Sequence, residues 1–383
     1  MRPINPRVEA VPRSGIRVIL DLASRPGVVH LEIGQPNFLT PAHIIDAADA
    51  AARAGHTGYT ANAGLPELCD ALSTTLASDN GVQAGVDQIV VTVGAMGALY
   101  AACLAVLEPG DQVLIPDPGY PNYHMAATLC GAETVRYPLL PEAGYQPDLD
   151  ALAAAIGPQC KAIIVNSPSN PTGAVLSEAS LRGVVDLAER HDLYVISDEC
   201  YEKIVFDGRH ISPAALAPGS DRFFTVSSVS KSYAMTGWRL GYVAAPAAMV
   251  PQLTKLQESI VGCAPVLSQH AALAALTGPQ DAVREMCAAY RSRRDLAVEL
   301  LQPHGLCNYR PGGAFYLLVD LPGEVDDTYD YAKRLLQERD VAVAPGETFG
   351  AGGAGRVRIS TATSDDLLRE GIGRLIEFAV ATG

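Results

Sequence analysis

Residues 193–199 read LYVISDE, and residues 223–231 read FFTVSSVSK. Each is a short apolar run that ends in a side chain with chemistry, Asp198 in the first and Lys231 just past the second. Continuous apolar runs, rather than strict alternation, suit strands buried on both faces. Working outward, similar runs lie at Gln88–Val93, Gln112–Ile115, Lys161–Asn166 and Leu240–Ala244. Helical patterns separate them at Met96–Leu107, Tyr120–Cys130 and Ser177–Arg190. This alternation predicts an α/β fold whose mainly parallel sheet is covered by helices. Ligands in such folds bind at the carboxyl ends of the strands, so functional residues are expected just after each run.

A chain of 383 residues exceeds what one hydrophobic core usually supports, so two domains are expected. The charged stretch 281–301 reads as one long helix. Beyond it, 306–383 mixes short strands (Ala314–Asp320, Val341–Ala344, Val357–Ser360) with two helices, the texture of a smaller α+β domain. The expected division is an N-terminal arm at 1–40 that joins the small domain, a large domain at 41–278, and the small domain at 279–383.

Composition narrows the function. Apolar residues form 48% of the chain and the formal net charge is −14, without a clustered basic run. This argues against nucleic acid or an anionic membrane as a partner. The eight cysteines show no CxxC spacing and no histidines stand at HxxxH spacing, so no metal site is expected. Dispersed cysteines, with no apolar run long enough to span a bilayer, lead to the expectation of a soluble cytoplasmic protein.

There are only five lysines, Lys161, Lys203, Lys231, Lys255 and Lys333, and Lys161, Lys255 and Lys333 read as ordinary solvated side chains. Lys231 follows a buried strand. There it is either a surface loop lysine or a partly desolvated amine able to form an imine with a carbonyl. Asp198 closes its strand as a helix cap or as the partner of a cation. Tyr201, three residues on, is placed to donate to the same ligand. Gly94-Ala95-Met96 is a plain turn or a helix start whose backbone N–H groups face an anion. Ser228 and Arg239 could complete such a cradle. Residues 350–355 read GAGGAG and fit GxGxxG, but they precede a strand rather than open a helix. They are read as a flexible loop and not as a dinucleotide site.

The segment SKSYAMTGWRLGY (230–242) resembles the lysine motif of class I/II aminotransferases, fold-type I enzymes that use pyridoxal 5′-phosphate (PLP). Other matches follow in family order: LEIGQPNFLTP (31–41), GYTANAGLPEL (58–68), VTVGAMGAL (91–99), PDPGYPNY (116–123), NSPSNPTG (166–173), SDECYEKI (197–204) and RISTATS (358–364). The resemblance implies a mainly parallel seven-stranded sheet in the large domain. It implies that Lys231 holds PLP as a Schiff base and moves the substrate proton, and that Asp198 pairs with the pyridine nitrogen. Tyr201 and Asn170 would bond the ring oxygen and Tyr120 would stack on the ring. Backbone at Ala95 and Met96, with Ser228 and Arg239, would hold the phosphate. Tyr59 would reach the phosphate of a neighbouring subunit, which implies a homodimer with shared active sites. Arg358 would grip the substrate α-carboxylate, with Gly34 closing over it, Asn170 nearby and Asn166 supporting it.

The implied reaction moves an amino group between an α-amino acid and a 2-oxo acid. Relatives specific for acidic substrates carry lysine where this chain has Met96, which favours a neutral side chain here. Elimination, replacement or condensation on the same cofactor is the alternative. A regulator without activity is disfavoured because no helix-turn-helix or basic extension is present.

Overall fold

The computed structural model describes residues 2–323 and 325–382. Its main sheet has the order Ile89–Thr92, Gly241–Ala244, Phe223–Ser228, Tyr194–Asp198, Cys160–Asn166, Gln112–Asp117, Glu133–Leu140, Gln146–Pro147. Pairing is parallel from Phe223–Ser228 to Glu133–Leu140. The exception inside the sheet is Gly241–Ala244, antiparallel to both neighbours. Seven of these strands form the expected sheet. The eighth, Gln146–Pro147, adds two residues antiparallel to Leu139 and Leu140 at one edge.

The central strands are apolar throughout because helices cover both faces; Ile163, Ile164, Val195 and Ile196 are fully buried. Glu133–Leu140 carries no long apolar run, since it lies near the edge and only Tyr137 and Leu139 along it are buried. The helix Gly94–Val106 lies against the sheet through Ala98, Ala101, Ala102 and Cys103, small side chains that allow close approach.

A second sheet is antiparallel, in the order Tyr316–Asp320, Arg356–Ser360, Ala344–Pro345. The run expected as one strand at Val341–Ala344 is divided. Val341 and Ala342 pair with Val29 and His30, whereas Ala344 and Pro345 pair with Arg358 and Val357. Ile19, Val29 and Leu31 share an apolar cluster with Leu335, Ile372 and Phe378. The long helix spans Asp281–Leu301.

The GAGGAG segment leads into the strand Arg356–Ser360 and is packed against the main sheet rather than a free loop. Gly352 N–H donates to Asp117 Oδ1 at 2.9 Å. Gly350 has φ +118°, and a Cβ there would collide with Asp117. Its glycines serve close packing against the end of a sheet strand. Among the described residues, no helix is long and apolar enough to cross a membrane.

Candidate active site

The strands Ile89–Thr92, Cys160–Asn166, Tyr194–Asp198 and Phe223–Ser228 all end at one edge of the main sheet. Gly241–Ala244 runs the other way and begins at that edge, which brings Arg239 there as well. A cavity of about 810 Å³ opens at this edge. It is lined by Gly34, Ala95, Met96, Tyr120, Asn170, Asp198, Tyr201, Ser228, Lys231, Arg239 and Arg358. All the residues singled out from the sequence meet there except Tyr59, which lies outside it and is 95% exposed.

The Lys231 amine donates to the Gly34 carbonyl at 2.6 Å. Burial lowers its pKa to about 8, and the nearby Arg239 and Arg358 charges push the same way. A neutral amine is therefore accessible near physiological pH, which is the form that attacks a carbonyl.

Asp198 sits at the cavity wall. Its Oδ2 accepts from the Tyr123 hydroxyl at 2.7 Å and its Oδ1 from Cys200 N–H at 3.2 Å. Desolvation raises its pKa above the ordinary carboxyl value despite these bonds. A cation delivered by a ligand would reverse that penalty. The Tyr201 and Tyr316 hydroxyls lie 2.8 Å apart, both rings buried.

At the start of helix Gly94–Val106, Gly94 takes φ +69°. A Cβ on it would stand 2.5 Å from Arg239 Nη2, so the guanidinium lies directly over the turn. Ser228 is nearby in the same cavity wall. Free N–H groups of a helix first turn, a hydroxyl and a guanidinium form a donor set suited to a phosphate dianion. The buried carboxylate, the lowered amine and this cradle together fit PLP.

Arg358 is 1% exposed. Its Nη1 donates to Asn170 Oδ1 at 3.0 Å and its Nη2 to the Glu32 carbonyl. The Tyr316 and Phe349 rings lie 4.3 and 5.0 Å from the guanidinium carbon. Nε is buried and has no partner among the described residues. Asn166 reaches Arg358 through Asn170. Asn166 Oδ1 accepts from Asn170 N–H at 2.8 Å, and Asn170 Oδ1 accepts from Arg358. Asn166 turns its amide nitrogen to the Asp198 carbonyl instead, at 3.0 Å.

Sequence reasoning missed Tyr123, Tyr316 and Glu32. Tyr123 stood inside a quoted motif, one helical turn past Tyr120, and only its bond to Asp198 marks it. Tyr316 comes from the second sheet and meets the cavity by folding alone.

Residues 26–375 match the family model for aminotransferase class I and II. The chain is 40% identical to the aspartate/prephenate aminotransferase of Thermus thermophilus, covering 98% of each protein. It is 38% identical to the arginine–pyruvate transaminase of Pseudomonas aeruginosa, covering 91% of this chain and 89% of that one. A structure of Thermus thermophilus aspartate aminotransferase with maleate superposes with a TM-score of 0.94 at 38% identity, over 99% of this chain and 100% of the other. The fold, the order of the motifs and these likenesses agree, and the chain belongs to the class I and II aminotransferases, a family of PLP-dependent enzymes.

Proposed function

We propose that this aminotransferase binds PLP in the cavity at the sheet edge and moves an amino group between an α-amino acid and a 2-oxo acid with a neutral side chain. The observation that carries the reading is the Lys231 amine, lowered to about 8 and set in one cavity with Asp198 and Arg358. When bound, PLP supplies the carbonyl that takes up the amine and the ring that accepts an electron pair from Cα.

The protein's residues do the rest. Lys231 is the residue that would hold the cofactor covalently, and its amine would carry the proton to and from the substrate Cα. Asp198, kept in place by Tyr123, holds the proton on the ring nitrogen. Tyr201 and Asn170 donate to the ring oxygen. Tyr120, in the cavity wall, would cover one ring face. Ala95 and Met96 N–H, Ser228 and Arg239 bind the phosphate. Arg358 clamps the α-carboxylate, with the backbone at Gly34 closing over it and Asn170 steadying the guanidinium. Exposed Tyr59 reaches the phosphate of a second subunit, which makes the working form a homodimer.

The neutral preference rests on Met96, whose thioether cannot pair with a second carboxylate. Ile16, Leu20, Leu99 and Met125 line the same cavity. Arg17 also lines it, while Arg13 and Arg25 are paired with Asp21 and Asp340. The domain division at 40/41 and 278/279 belongs to this reading, supported by the apolar cluster that joins Ile19 and Leu31 to the C-terminal helix. A cytoplasmic location is supported by eight free cysteines.

Borohydride reduction of the protein with PLP, followed by peptide mapping, tests the centre of the proposal. The label is expected on Lys231 alone; a label on Lys203 or any other lysine overturns it. Comparison of aspartate, glutamate, alanine, methionine and phenylalanine as donors tests the side-chain preference. An acidic donor leading by about tenfold, the factor expected from one well-placed charged contact, would overturn the Met96 argument and point to Arg17.

A further inference from the structure

Glu32 is a fully buried acid with no part in the roles above. Its Oε1 lies 2.8 Å from His30 Nδ1, and its Oε2 is buried without a hydrogen-bond partner among the described residues. Its own backbone carbonyl accepts from Arg358 Nη2. The residue that carries this carboxylate therefore touches the guanidinium through its backbone, yet no ion pair joins the two side chains among the described residues. The direct contacts of Arg358 are neutral: the Asn170 amide, the Glu32 carbonyl and two aromatic rings.

A buried guanidinium among neutral groups is costly without an opposite charge. Burial lowers the Arg358 pKa from its ordinary value, and Glu32 is among the charges that oppose this. We infer that Glu32 is the resident counter-charge of Arg358, a positioning residue that steadies the guanidinium in the free enzyme and loosens its hold on a bound carboxylate. The second effect follows from Coulomb's law, because a substrate carboxylate on Arg358 meets Glu32 as a like charge at longer range. Its use is in turnover. The product is also a carboxylate, and it must leave the same arginine. His30 is 37% exposed at its side chain, so the partner of Glu32 reaches solvent while Glu32 does not.

This inference rests on the reading of Arg358 as the carboxylate clamp. The test is calorimetric titration of the PLP-loaded enzyme with 3-phenylpropanoate, a carboxylate without an amine. Glu32→Gln is expected to bind it about three- to tenfold tighter, the effect of removing one like charge in a partly shielded site. KM for the amino donor should fall in parallel, with no rise in kcat. Glu32→Asp, which keeps the charge, should stay near wild type. His30→Lys sets a permanent cation beside the same carboxylate from a half-exposed position and should tighten binding about twofold. A merely structural Glu32 would give weaker or unchanged binding on substitution. Unchanged or weaker binding in both Glu32→Gln and His30→Lys overturns the inference; if Glu32→Gln does not fold, His30→Lys decides. Arg358→Lys in the same titration separates the two ideas. If that variant keeps full affinity, the clamp itself is wrong. If it loses affinity while the other variants fail to tighten, only the role of Glu32 falls.

Discussion

Asp198 and Glu199 are adjacent carboxylates on opposite sides of one strand end, and they are treated in opposite ways. Glu199 is fully buried and saturated. Its Oε1 accepts from the Ser197 and Ser212 hydroxyls at 2.8 and 2.7 Å. Its Oε2 lies 2.8 Å from His210 Nε2 and accepts from Asn80 Nδ2 at 3.3 Å. Asp198 has one hydroxyl and one backbone N–H, and otherwise faces the cavity. Glu199 closes a structural network, with its need for donors met inside the protein. Asp198 is left short of positive charge, a shortage that a cationic ligand would satisfy.

The comparison breaks first at Asp198→Asn. In the proposed role of Asp198 the amide cannot keep a proton on the cofactor's ring nitrogen, so activity should fall by about a thousandfold, consistent with electrostatic effects of several kcal/mol. The melting temperature should hold or rise, since a desolvated charge is removed. Single-turnover rates near wild type would show that Asp198 has been assigned the wrong role. Glu199→Gln should do the reverse. It leaves an amide among donors already aimed at a carboxylate, and stability should drop by about 3 kcal/mol, as when one partner of a buried ion pair is lost. Chemical denaturation reads this directly, and an unchanged midpoint would deny the network its structural weight.

Arg358→Lys carries the same contrast to the substrate end. Lysine cannot reproduce a two-bond clamp, so carboxylate affinity should fall by about a hundredfold while PLP affinity stays within about twofold. Loss of PLP with intact carboxylate binding would move Arg358 to the cofactor side. Tyr123→Phe is gentler. Removing one hydroxyl from Asp198 should cost about tenfold in kcat, the worth of one hydrogen bond to a charged group. A larger loss would mean that Tyr123 positions the ring as well.

The smallest effect concerns pH. Burial works to lower the His210 pKa, but the Glu199 charge and hydrogen bond outweigh it and leave the pKa raised. A raised folded-state pKa contributes stability that is complete below the unfolded value and is lost as pH rises through the folded one. The stability gap between wild type and Glu199→Gln should therefore narrow as pH rises through the raised His210 pKa. Denaturation midpoints across that range check it; a gap that widens would contradict the pairing.

Much of this site was legible in the chain. Asp198 and Lys231 stand just past apolar runs, and a parallel sheet turns that local position into a shared edge. Arg358 and Asn170 were legible only through resemblance, because they come from different sheets and meet across 188 residues of sequence. Tyr316 had no local signal, since its partner Tyr201 lies 115 residues away. The strand Glu133–Leu140 was missed for another reason. Near an edge, a strand no longer needs the apolar run by which central strands are recognised.

The reversed strand Gly241–Ala244 has a consequence for how this protein can vary. Because it starts where its neighbours end, the chain leaves the site after Ser228 and returns by Arg239 without crossing the sheet. Two of the proposed phosphate donors, Ser228 and Arg239, thus share one short stretch, 228–239, with the amine. An insertion or deletion inside it would change the spacing of Lys231 from Ser228 or from Arg239, whereas a length change in the helix Glu178–Arg190, outside this stretch, would leave both spacings untouched. Random-length libraries made across the two segments should survive in the second and vanish in the first.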